Sequence, residues 1–214
     1  MDYSENTVSY TTTNSYATLN SLTSQTKNVW IVLHGIGYLS RYFLRYFDEL
    51  PPEENYIIAP QAPSKYYLNN TYRRVGASWL TKEGTEQETQ NVLAYLDAVY
   101  AAQQFPENCN FIILGYSQGV SIATRWVAQR KIKCNQLVLY AGGIPNELKA
   151  SDFSFLKENH TKVTTLVGDT DKYITKERRE TESKKIEHLF GGKAQQIFFE
   201  GGHEIKKELI LNLV

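Results

Sequence analysis

Several protein classes announce themselves by features that this chain lacks. Only two of its 214 residues are cysteine. Cys109 and Cys134 form no Cys-x-x-Cys pair, so they offer neither a disulfide framework nor a zinc site, and two reduced thiols beside strands are expected. Charge of one sign is also missing. Twenty-three Lys and Arg offset 23 Asp and Glu, leaving no global field to draw the chain to nucleic acid or an anionic membrane. Long apolar runs are absent as well. The best of them, residues 29–33, ends at His34-Gly35, far short of the roughly 20 residues a spanning helix needs. The opening Met1-Asp2-Tyr3-Ser4-Glu5-Asn6 has acids where a signal peptide would be basic. No internal repeat, low-complexity tract or linker interrupts the chain. A single domain over residues 1–214, working in the cytoplasm around one hydrophobic core, is the expectation.

What the chain does contain is an alternation of short apolar runs and amphipathic segments. Residues 8–13 and 16–20 are rich in Thr and Tyr around Asn14-Ser15 and read as an N-terminal antiparallel hairpin. Residues 29–33, 56–59, 111–114, 136–141, 162–167 and 195–199 read as strands, the central ones apolar on both faces as in a buried parallel sheet. Helical patterns cover residues 40–50, halted by Pro51-Pro52, then 86–104, the segment after Ser117, 175–190 and the C-terminus. Between Pro60 and Thr85 the periodicity fails, and a long loop is expected there. The sum is an α/β protein: a doubly wound, mostly parallel sheet with an N-terminal antiparallel hairpin and helices on both faces. Fifteen tyrosines are many for this length, and amphipathic rings on half-buried surfaces account for most of them.

One motif stands at a strand-to-helix junction. Gly115-Tyr116-Ser117-Gln118-Gly119 follows Phe111-Ile112-Ile113-Leu114, the setting of a nucleophile elbow, in which a strained turn lifts a serine hydroxyl clear of the backbone. Asp169 and Asp171 follow a later strand and His203 follows the last. The order Ser, Asp, His is that of α/β-hydrolases, and in a parallel sheet all three positions open onto the same edge. A serine hydroxyl needs an imidazole to take its proton and a carboxylate to hold that imidazole's tautomer. Ser117, His203 and Asp171 are the candidates for these roles, with Asp169 as the rival acid. An oxyanion formed on attack needs two fixed N–H donors. The residue after the serine, Gln118, supplies one, and Ile36 in His34-Gly35-Ile36-Gly37 supplies the other. Trp79 is the candidate wall of the substrate site, with a buried core tryptophan as the competing reading.

On these segments the chain resembles the carboxylesterase and lysophospholipase group of α/β-hydrolases, which includes the acyl-protein thioesterases. Leu33-His34-Gly35-Ile36-Gly37, the elbow, Gly168-Asp169-Thr170-Asp171 and Gly202-His203-Glu204-Ile205 are similar to the family's oxyanion, nucleophile, acid and histidine segments. Ala59-Pro60-Gln61-Ala62-Pro63 and Ser78-Trp79 resemble its segment over the active site. The chain departs from the family pattern at Leu80-Thr81, where an aromatic and an aspartate are common, and residues 64–76 follow no family pattern. The resemblance implies a serine hydrolase that cleaves carboxylic ester or thioester bonds of small or short-acyl substrates through an acyl-enzyme, with no metal or organic cofactor. In the family the second aspartate of the acid loop belongs to the triad, which favours Asp171. A catalytically silent scaffold that binds a small ligand or partner, and an amide-cleaving hydrolase, are the alternatives.

Overall fold

The computed structural model describes residues 3–106 and 108–214. Met1 and Asp2, on which part of the signal-peptide argument rests, lie outside the described residues. Seven strands form the main sheet: β1 (Tyr16–Leu19), β2 (Asn28–Leu33), β3 (Asn55–Pro60), β6 (Asn110–Tyr116), β7 (Gln136–Tyr140), β8 (Lys162–Gly168) and β9 (Gln195–Phe199). Their spatial order is β1-β3-β2-β6-β7-β8-β9. Only β1 is antiparallel to its neighbour. A separate two-stranded hairpin joins β4 (Ser64–Tyr67) to β5 (Val75–Ser78).

The apolar runs explain the layers. In β2, all six residues are buried, and successive side chains enter opposite faces. Val29, Ile31 and Leu33 join one core layer with α2 (Thr85–Ala101), α3 (Gln118–Arg130) and α5 (Lys176–Phe190). Trp30 and Val32 join the other, under α1 (Ser40–Phe43) and α6 (Lys207–Leu211). A short α4 (Ser154–Glu158) packs Leu156 into the first layer. The fold class read from the sequence is therefore present, with helices on both faces.

Three local expectations need correction. The N-terminal hairpin does not form, because residues 8–13 carry no regular structure. Val8 and Tyr10 are exposed and bury nothing that would offset ordering them. The antiparallel edge persists through β1, which pairs with β3 instead. The helix expected over residues 40–50 ends at Phe43 and continues as a 3₁₀ turn over Leu44–Tyr46. Leu44 and Phe47 are buried three residues apart, the spacing that a 3₁₀ turn sets on one face, and Leu50 is buried in the irregular turn that follows. The long loop after Pro60 contains the β4–β5 hairpin. Every residue of β4 is exposed, so no inward-outward alternation was there to reveal it.

Sheet order also locates the site. From β2 the chain steps to β3 on one side and later to β6 on the other. The loops leaving β2 and β6 thus diverge at a topological switch point, where open α/β sheets place their reactive crevice.

Candidate active site

Ser117 sits between β6 and α3 with φ 53° and ψ −116°. A left-handed φ on a residue with a Cβ costs about 1–3 kcal/mol and persists only where its surroundings enforce it. Here its N–H donates to Tyr140 O at 2.8 Å. The glycine at the end of the motif permits the turn, since a Cβ on Gly119 would fall 2.0 Å from Leu33 O. The elbow can form only by letting α3 lie directly on the end of β2.

Folding brings Ser117, His203 and Asp171 together across 86 and 32 residues of chain. His203 Nε2 lies 2.9 Å from Ser117 Oγ, and His203 Nδ1 lies 2.7 Å from Asp171 Oδ2. The Asp171 side chain is fully buried and that of His203 is 16% exposed. Asp171 Oδ1 accepts N–H bonds from Tyr173 and Ile174 at 2.8 and 3.2 Å. A carboxylate so engaged presents Oδ2 as an acceptor, which places the imidazole proton on Nδ1 and leaves Nε2 free to accept from the serine hydroxyl. Tyr173 and Tyr116 flank the imidazole, with ring centroids at 4.8 and 5.3 Å. The rival Asp169 is exposed and accepts instead from Gly201 N at 3.0 Å. It ties down the histidine loop without reaching the imidazole nitrogen that Asp171 occupies.

The loop after β2 packs on the elbow. A Cβ on Gly35 would lie 3.1 Å from Ser117 Cβ and from the Tyr116 ring, so any larger residue there would push loop and elbow apart by a few tenths of an ångström. The N–H of Gln118 opens α3, where no carbonyl four residues back can serve it. Neither it nor the N–H of Ile36 has an acceptor among the described residues. Two unengaged N–H groups thus lie in the two segments that pack together at the serine. The Gln118 side chain is otherwise occupied: its Nε2 donates to Ser78 Oγ and Leu80 O at 3.0 and 2.7 Å, and its Oε1 accepts from Trp79 N at 2.8 Å.

Trp79 corrects an expectation. A substrate wall must expose a face, whereas Trp79 is fully buried and its Nε1 donates to His34 O at 2.8 Å. It is a strut behind the loop that carries Ile36. Exposed apolar side chains beside that loop come from the hairpin and from Ile36 itself. Leu68 and Tyr66 flank Gly37, within 3.6 and 3.8 Å of where a Cβ would stand, and Ile36, Tyr66 and Leu68 are all exposed. Gly37 N donates to Ala77 O and Ala77 N to Tyr38 O, which splints the loop to β5. The irregular composition of residues 64–76 concealed this contact.

His34, read from the sequence only as part of a motif, is a buried structural group. Its Nε2 accepts from Ala62 N at 3.2 Å and its Nδ1 donates to Gly35 O at 2.8 Å. Burial lowers its pKa from 6.5 to about 4, against a smaller opposing effect of the Gly35 carbonyl. The neutral form is thus favoured by the fold, so its contribution is full above about pH 6.5 and is lost as pH falls through about 4. At about 1.4 kcal/mol per pKa unit the loss is at most about 3.5 kcal/mol. Urea unfolding at stepped pH should show stability declining below about pH 6.5, with a shallower decline in His34→Gln, which cannot take up that proton.

No significantly similar sequence is found among curated proteins. Among solved structures, the acyl-protein thioesterase 2 of Zea mays superposes with a TM-score of 0.66 at 13% identity, covering 94% of this chain and 96% of that one. Esterase PE8 gives 0.67 at 22% identity, covering 94% and 98%. The Bacillus cereus carboxylesterase gives 0.64 at 17% identity, covering 94% and 91%. At these identities the likeness is one of fold. The sequence itself matches the phospholipase/carboxylesterase family over residues 14–213, so this chain belongs to that family of α/β-hydrolases.

Proposed function

We infer that the protein is a serine hydrolase acting on carboxylic esters, and on thioesters of similar size, through an acyl-enzyme. The observation that carries this reading is the continuous chain Ser117 Oγ, His203 Nε2, His203 Nδ1, Asp171 Oδ2, with both links under 3 Å. Ser117 Oγ attacks the carbonyl carbon while its proton passes to His203 Nε2. The new positive charge on the imidazole is held by Asp171. The carbonyl oxygen becomes an oxyanion between the N–H groups of Ile36 and Gln118, and the N-terminus of α3 adds the positive end of its dipole. Collapse expels the alcohol or thiol, which takes the proton from Nε2–H, and leaves the acyl group on Ser117. Water then repeats the sequence with His203 as base and releases the acid.

Charged side chains play no part in choosing the acyl group in this reading. The exposed Ile36, Tyr66 and Leu68 offer an apolar shelf on which a short acyl chain is partly covered. Both cysteines are free thiols, which suits a reducing compartment such as the cytoplasm. A panel of p-nitrophenyl esters and acyl thioesters, from acetyl to palmitoyl, tests the substrate class. The expected kcat/KM is highest among the short chains. A steady rise to palmitoyl would overturn the short-acyl assignment, and no turnover of any member would overturn the activity.

A further inference from the structure

The histidine loop, residues 200–206, has no regular secondary structure, yet it must hold an imidazole to within a fraction of an ångström of Ser117. Two phenols grip its backbone. Tyr116 OH donates to the His203 carbonyl at 3.0 Å, and Tyr140 OH accepts from Lys206 N–H at 3.0 Å. These tyrosines end adjacent strands β6 and β7, where they are direct register partners. Their rings meet edge to face at 5.9 Å, and both are almost wholly buried. Tyr116 is also the residue before Ser117. Its ring stacks on Phe43 at 6.1 Å and lies against the His203 imidazole at 5.3 Å.

Phenylalanine would fill the same core volume at both positions. A buried hydroxyl costs free energy unless it is bonded, so each phenol is explained by the backbone group it meets. Neither the His203 N–H nor its carbonyl makes a backbone hydrogen bond among the described residues. Burial also pushes both phenol pKa values well above the ordinary range, which keeps Tyr116 a donor wherever the protein is folded. Asp169, through Gly201 N, holds the other end of the loop.

We propose that Tyr116 and Tyr140 are a paired positioning device that sets the general base against the nucleophile, with Tyr116 coupling both to the same strand end. The proposal rests on the serine-hydrolase reading and refines it. Because Tyr116 is continuous with Ser117, any displacement of β6 carries the His203 carbonyl with it, and the Ser117–His203 distance is preserved. Tyr140 fixes the loop three residues further on and keeps it from pivoting about that carbonyl.

The test compares wild type, Tyr116→Phe, Tyr140→Phe and the double variant. Turnover of p-nitrophenyl acetate and the low-field proton resonance of His203 Nδ1–H are measured for each, with the melting temperature as a control. Tyr116→Phe should lower kcat by about tenfold to a hundredfold, the range set by a small misplacement of the base, while KM stays within about twofold. Its low-field resonance should move or broaden. Tyr140→Phe should act in the same sense but more weakly. Replacing Tyr116 by 4-aminophenylalanine, which keeps a donor in place, should recover most of the lost kcat. Wild-type kcat and an unshifted resonance in Tyr116→Phe would overturn the proposal, as would a loss that the amino analogue leaves unrepaired. The resonance is read without substrate. A wild-type protein inactive on esters would therefore sink the hydrolase reading while the positioning question was still answered.

Discussion

Ser117→Ala is expected to lower kcat on any ester substrate by about five to six orders of magnitude, the scale on which loss of an activated serine removes covalent catalysis. Labelling by a fluorophosphonate probe should vanish with it. The backbone at Ser117 already carries a Cβ at φ 53°, so alanine introduces no new strain. Fold and melting temperature should be nearly unchanged, which separates a chemical loss from a structural one. This result also decides against the silent-scaffold alternative, which expects neither wild-type turnover nor probe labelling. If the variant retained wild-type turnover, Ser117 would have no part in the chemistry, however well placed.

The second large effect concerns the acid. Asp171→Asn should reduce kcat by about 10⁴-fold, because the amide can present an N–H where Oδ2 now accepts from His203 Nδ1–H. The imidazole then favours the tautomer with its proton on Nε2 and no longer accepts from Ser117. Asp169→Asn should change kcat by no more than about threefold, since the amide oxygen can still accept from Gly201 N–H as a neutral hydrogen bond of about 1 kcal/mol. Substrate affinity should be little altered in either variant, as both carboxylates are engaged with the histidine segment. The opposite pattern, with Asp169→Asn inactive and Asp171→Asn active, would reassign the acid.

These two carboxylates show how far the sequence could be read. They lie two residues apart in one strand-end loop, where spacing gave no means of separating them and only the resemblance to the family's acid loop favoured Asp171. Burial separates them, because Asp171 turns inward to meet His203 while Asp169 stays exposed. Trp79 shows the same limit from the other side. An aromatic close to the elbow reads as a substrate wall or as core with equal ease, and only packing shows it buried behind His34. The β4–β5 hairpin left no signal at all, since its outer strand buries nothing and the period-two pattern that marks a strand comes from burial of one face.

The nucleophile elbow was legible because its requirements are local. A strand, a left-handed turn at Ser117 and flanking glycines that let α3 rest on β2 are all encoded within a few residues. The alternation of buried strands and amphipathic helices was legible for a similar reason, as each element writes its own periodicity. By itself, then, the sequence determined the α/β class, the strand ends that carry the candidate site and the identities of Ser117, His203 and Asp171 as candidates. The tertiary structure alone decided the rest: the strand order that places β2 beside β6, the inward turn of Asp171 toward His203, the burial of Trp79, and the grip of Tyr116 and Tyr140 on the histidine loop. Those depend on contacts between residues as much as 87 positions apart, and no local pattern records which distant groups a chain will bring within hydrogen-bond reach.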